Sequence, residues 1–183
     1  MPANPVYDVI GVGFGPSNLA LAIAMAESGD EVTGLFLERQ PHFGWHRGML
    51  IEDATMQVSF LKDLVTMRNP TSEFSFLSYL HSADRLADFI NQKSLFPLRV
   101  EFHDYLEWAA GKLDHSVRYG HEVLAVEPVT EDGVVTCFDV TARHGADTTT
   151  LRARNLVFGT GLEPHLPDGA QTGRPATGGV PGV

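Results

Sequence analysis

The stretch YDVIGVGFGPSNLALAIAMAESG, residues 7–29, constrains the chain most, because it runs from an apolar strand through a glycine turn directly into an alanine-rich helix. Residues 6–12 read as the strand and 16–28 as the helix, with Gly29 ending it. A second apolar run follows at residues 32–37. Strand, helix and strand joined by short connections form a βαβ unit with parallel strands and a right-handed crossover. A strand entering Gly11-x-Gly13 and then a helix presents bare backbone amides and a helix N-terminus, where a pyrophosphate can sit. Pro16 stands where the third glycine of G-x-G-x-x-G would fall. Proline suits the first helical turn, since its missing N–H would have no partner there. Gly11 is read as permitting the tight turn, Gly13 as admitting the phosphate, and Gly15 as keeping the loop small.

Glu38 closes the second strand, 27 residues after Gly11 against a usual interval of about 20. An acid at this place can accept from both ribose hydroxyls and disfavours a 2′-phosphate, so the site suits FAD or NAD better than NADP. A solvated surface acid is the alternative. A late apolar strand running into Gly159-Thr160-Gly161 resembles the turn that returns a strand beside the cofactor in FAD-type domains, and it shifts the reading from NAD to FAD. With 13 Lys+Arg against 23 Asp+Glu, the net charge of -10 argues against a nucleic-acid or anionic-membrane partner. An anionic cofactor would then be held by backbone amides and a few local cations.

Between these signals, residues 39–69 lack sustained periodicity over a length uncommon for a plain loop, which marks a functional segment. Helical patches are expected at residues 73–81 and 83–91 and a cleaner helix at 103–113. Three strand-like runs at 122–129, 134–142 and 149–158 then form a β-meander. The expected fold class is α/β: a Rossmann-like, FAD-binding, three-layer domain over residues 5–167. In residues 172–183, six of twelve are Gly or Pro, and the tail from 168 is expected to be disordered. One cysteine, Cys137, allows neither an intramolecular disulfide nor a redox pair, and no metal site is expected. No apolar run of membrane-spanning length occurs, which reads as a cytoplasmic protein.

The blocks GVGFGPSNLALA, LERQPHFGWHRGML, MQVSFLKDLVTMRNPTSEFSFLSYLH and RVEFHDYLEWAA resemble the N-terminal half of the flavin-dependent N-hydroxylases that act on L-ornithine or L-lysine in siderophore biosynthesis. Proline in the third-glycine place belongs to that family's FAD turn. The resemblance implies that Trp45 and His46 line the flavin, with Met49 and Met56 as neighbouring apolar wall. It implies that Gln57 lies over the flavin as a catalytic amide, and that Lys62 pairs with the substrate carboxylate. Arg99 falls near the active site, Val123 where a strand passes the adenine, and Gly161 in the late turn. Asp63 is read as a partner for Lys62 or Arg68. In such an enzyme NADPH reduces FAD, the reduced flavin activates dioxygen, and the neutral side-chain amine takes one oxygen atom.

The family also carries a second Rossmann-type domain for NADPH. No second G-x-G-x-x-G follows residue 158, so the expectation is a truncated form of an L-ornithine hydroxylase in which the two-dinucleotide fold is incomplete and the NADPH domain absent. The sequence leaves two alternatives open, a non-catalytic FAD-binding fragment and an L-lysine hydroxylase; a different FAD or NAD reductase would need a redox cysteine pair that Cys137 alone does not supply, and assembly as a homo-oligomer is compatible with each.

Overall fold

The fold is that of a computed structural model, which describes residues 5–162. The expected tail at 168–183 and the end of the 5–167 unit lie outside the described residues.

The opening unit forms as β1 Val6–Val12, α1 Pro16–Glu27 and β2 Gly34–Glu38, with β1 and β2 parallel and Ile10 opposite Leu35. Helices α2 Phe76–Ser82, α3 Leu86–Asn91 and α4 Arg99–Gly111 follow, then β3 Val117–Tyr119, β4 Glu122–Glu131, β5 Val134–His144 and β6 Asp147–Phe158. The strand order is β3-β2-β1-β6-β5-β4. β6 serves two partners: Phe138 to His144 of β5 pair antiparallel with it, while β1 pairs parallel with its segment beginning at Arg152. The hairpin between β4 and β5 turns on Asp132 and Gly133, both at positive φ, as a two-residue mirror-image turn requires.

Side-chain alternation along β1 and β2 divides the core into two clusters. Phe36 faces the helices and packs with Phe14, Leu19, Ile23 and α4. Ile10, Leu35 and Leu37 face the other way and pack with Val140, Ala142, Leu151 and Ala153 of the meander. β4 and β2, four places apart in the strand order, therefore come into contact as the sheet curls over. Helices, parallel strands and meander make the three layers expected.

On the helical side, fully buried Phe76 is ringed by Phe60, Phe89, Phe102, Tyr79 and Tyr105 at centroid distances of 5.4–5.9 Å. Such aromatic pairs contribute about 0.5–1.5 kcal/mol each beyond their buried area. This cluster and two polar staples order the long segment that carries little regular structure. Glu27, at the end of α1, accepts from Arg68 at 2.6 Å, Ser72 Oγ at 2.5 Å and Asn69 at 3.4 Å. Asp63 accepts from the amides of Val65, Thr66 and Phe76 and from Thr66 Oγ1.

Several expectations are corrected. β2 begins at Gly34, because Asp8 accepts both the amide and the hydroxyl of Thr33 and leaves Val32 40% exposed. α4 begins at Arg99, directly after Pro97 and the extended N-cap Leu98. β3, three residues long, has no signature that a periodicity reading can find. Asp63 pairs with neither Lys62 nor Arg68: four donors occupy it, and Arg68 pairs with Glu27. Gly11 does not make the turn. It sits inside β1, where a Cβ would lie 2.2 Å from the Phe36 ring and 3.1 Å from Asn18 Nδ2.

Gly11→Ala is therefore expected to overpack the helical side of β1 and destabilise the fold by about 1–3 kcal/mol. Gly48→Ala, whose Cβ meets nothing within 4 Å, serves as the control that urea unfolding should leave nearly unchanged.

Candidate functional site

The turn itself is made by Gly13, at φ +84, where a Cβ would lie 2.6 Å from Gly159 O. Two backbone bonds clamp this approach: Gly13 N–H donates to Leu37 O, and Gly159 N–H to Val12 O, both at 2.8 Å. Asn18, wholly buried one turn into α1, donates through Nδ2 to Gly13 O at 2.7 Å and Val12 O at 3.4 Å. Its Oδ1 has no partner among the described residues. α1 starts at Pro16, as expected, and Gly15 is its N-cap. The amides of Ser17 and Asn18 precede the first intrahelical bond, Leu19 N–H to Gly15 O, so the helix offers them to whatever sits before it.

Two cavities adjoin this turn. The first, of about 410 Å³, is bordered by Gly13, Glu38, His121, Val123 and the 159–162 segment, including Gly161. Glu38 Oε2 accepts from Phe14 N–H at 2.7 Å and Oε1 from Gln40 N–H at 2.8 Å. Those bonds fix the carboxylate at the end of β2 and leave each oxygen further lone pairs. The second cavity, of about 390 Å³, is lined by Pro16, Ser17, Trp45, Met56, Lys62 and Phe102, among others. Pro16 and Ser17 are thus in its wall while Gly13 is in the wall of the first.

Trp45 is half-buried; its backbone N–H donates to His103 Nε2 at 3.4 Å and its ring packs 6.4 Å from Phe102. Lys62 is exposed and forms no ion pair among the described residues. Its backbone is fixed by its neighbours: Leu64 N–H donates to Tyr105 OH, which in turn donates to Phe74 O. His46, left-handed at φ +47, sets its ring 5.0 Å from that of Trp45 at a tilt of 57° and is exposed, as is Met49. Gln57 is also exposed and is not among the residues lining the second cavity, although its neighbours Met56 and Val58 are. Arg99 donates to Met49 O at 3.4 Å, which closes the loop onto α4.

The structure thus brings Gly13, Glu38, Val123 and Gly161 to one cavity and Pro16, Trp45, Met56 and Lys62 to the other. Gly11 is withdrawn into the strand, and His46, Met49 and Gln57 stay on the outer loop. Two residues escaped the sequence reading. Asn18 had one faint signal, an amide among the apolar residues of the first helical turn, and His121 had none. His103, Asp104 and Glu107 place ligand atoms within 4.8 Å of one another. However, Glu107 pairs with Arg47, and the Trp45 bond to His103 Nε2 puts the neutral ring's proton on Nδ1, toward Glu107. Among the described residues no helix is long and apolar enough to cross a membrane.

Layering, strand order and a glycine turn at the C-terminal end of β1 define a Rossmann-like domain of the FAD-binding type. Residues 5–177 match the family L-lysine 6-monooxygenase/L-ornithine 5-monooxygenase, and the chain belongs to that family. The chain is similar to the L-ornithine N(5)-monooxygenase of Burkholderia cepacia, 51% identical over 92% of this chain and 39% of the relative. Its fold matches the ornithine N-hydroxylase of Kutzneria sp. 744, solved with reduced FAD, NADP+ and L-ornithine: TM-score 0.88, 51% identity, 92% of this chain and 40% of that one. It also matches an ornithine hydroxylase of Pseudomonas aeruginosa, with TM-score 0.82, 45% identity, 89% of this chain and 41% of that one. The chain therefore spans about two fifths of the length of these relatives.

Tyr119, on the strand beside Glu38, supplies a pH test of the packing around the first cavity. Burial, with Asp114, Glu38 and Glu107 nearby, pushes its phenol up to about 12. The unfolded chain loses that proton near ~10, so between these values the folded state binds more protons. Stability that is complete below pH ~10 is expected to fall as pH rises toward 12. Tyr119→Phe should make urea midpoints measured from pH 8 to 11.5 fall less steeply.

Proposed function

We propose that this chain carries the FAD-binding part of an enzyme that uses FAD, NADPH and dioxygen to hydroxylate the side-chain amine of L-ornithine for siderophore biosynthesis. The observation that carries the reading is the clamped Gly13 turn with a cavity on either side, one holding Glu38 and the other an unpaired Lys62. The residues present fit a dinucleotide. At Gly13 even a Cβ would collide with Gly159, while a Cβ at Gly15 would meet nothing within 4 Å.

The amides and the positive end of α1 would take the pyrophosphate, which an acidic chain can hold without a cluster of basic side chains. Glu38 would accept from the ribose hydroxyls, and Val123 would wall the adenine. Trp45 and Met56 would bound the flavin ring, with His46, Met49 and Gln57 on the loop beside it. When bound, FAD supplies the two-electron carrier that NADPH reduces and that activates dioxygen. Gln57 has a neutral amide that donates and accepts without giving up a proton.

Lys62 is the cation for the substrate carboxylate. Asp63 beside it is saturated by four donors and does not compete for it. The apolar wall of Trp45, Met56 and Phe102 favours an uncharged amine, the form with a lone pair to react, over an ammonium of reference pKa ~10.4.

Ornithine is preferred to lysine because ornithine enzymes match at 40–51% identity, against 32% for a lysine 6-monooxygenase structure from Pseudomonas syringae. We assign residues 5–167 to the FAD unit and the cytoplasm as its compartment, consistent with NADPH as reductant and a single cysteine. Among the described residues no second strand, glycine turn and helix unit is present, and we assign no nicotinamide site to them.

Titration of the purified chain with FAD is expected to give saturable binding, lost by at least tenfold in Gly13→Ala; absence of FAD binding overturns the reading. NADPH oxidation and hydroxylamine formation are then measured with ornithine and with lysine. Yellow protein inactive with both amines supports the alternative of a non-catalytic FAD-binding fragment. In an active protein, Lys62→Ala should raise the ornithine KM by about tenfold or more, the scale of losing a charge-assisted contact, with FAD affinity unchanged.

A further inference from the structure

His121 and His144 lie face to face with ring centroids 4.5 Å apart and planes within 2°. The arrangement follows from register: Glu122 pairs with Arg143 across β4 and β5, so the next residues outward, His121 and His144, are opposite one another. Gly120, at φ +70, leaves the space, since a Cβ there would stand 3.2 Å from His144 Cδ2. His121 is held at three points. Its Nδ1–H donates to Tyr119 O at 2.8 Å, its backbone N–H to Glu38 O at 2.9 Å, and the preceding Gly120 N–H to Gln40 O at 2.8 Å. One ring face is covered by His144, and His121 borders the cavity that is also lined by Glu38 and Val123.

We propose that the His121–His144 pair is a preformed shelf on which the adenine base of the dinucleotide stacks, an inference that rests on the FAD reading above. A flat ring fixed before the ligand arrives loses little freedom on binding, and base stacking on an aromatic face needs no sequence of hydrogen bonds. The backbone bond from His121 to Glu38 sets the spacing between shelf and carboxylate, so base and ribose are read by one rigid unit. His144 backs His121 from the exposed side and holds the ring flat.

The test is calorimetric titration of the whole chain and its variants with FAD, ADP and riboflavin. His121→Ala should weaken FAD and ADP by about tenfold, the scale of one lost base–aromatic stack, and leave riboflavin unchanged. His121→Phe should bind close to wild type, and His144→Ala should lose less than His121→Ala. Unchanged FAD and ADP affinity in His121→Ala overturns the shelf while leaving the FAD reading intact. So does an equal loss in His121→Phe, which would assign the effect to the Nδ1 bond. A wild-type chain that binds neither FAD nor ADP overturns both. If His121→Ala does not fold, His144→Ala decides, and unchanged affinity there overturns the shelf.

Discussion

The approach of Gly13 to Gly159 is the contact on which the rest of the molecule depends. It brings the end of β1 against the end of β6 so closely that no side chain fits, and Asn18 seals it by donating to both carbonyls of the turn. With that contact made, α1 begins immediately, the amides of Ser17 and Asn18 precede its first intrahelical bond, and Glu38 is bound to the turn through Phe14 N–H. The same contact explains why β6 is long. It must reach Gly159 while still pairing with β5, and so it carries the meander onto the back of the parallel strands.

Charge follows from that geometry. A chain with a net charge of -10 repels a phosphate at long range, so a pyrophosphate site needs short-range donors. Backbone amides at a helix start provide them without adding cations. Arg39 borders the first cavity, while Lys62, which has no ion pair among the described residues, is on the other side of the turn, in the wall of the second. Asp63 is not its partner, because three backbone amides and the Thr66 hydroxyl already donate to that carboxylate.

The βαβ opening, the helix start at Pro16, the meander and the acid at Glu38 were legible in the sequence, because each rests on local periodicity or on one special residue. The role of Gly11 was not. Whether a glycine serves a turn or a close packing depends on what stands opposite, and Phe36 is 25 residues away. The partner of Asp63 was misread for the same reason, since its donors come in part from Phe76, beyond the loop. Trp45, Met56 and Lys62 were named by resemblance alone, and their convergence on one cavity follows from the aromatic cluster around Phe76. His121 left no trace in the pattern, because a cross-strand register places it opposite His144.

The central claim is that the turn between β1 and α1 receives the pyrophosphate of a flavin dinucleotide. Amide-resolved NMR of the isotopically labelled chain during FAD addition tests it most directly. The account predicts the largest shifts at the amides of Gly13, Phe14, Gly15, Ser17 and Asn18, with smaller ones at Val123 and Gly159. Shifts concentrated instead between α2 and α4, where Trp108 and Lys112 line a separate surface cavity, would contradict it, as would no shifts at all.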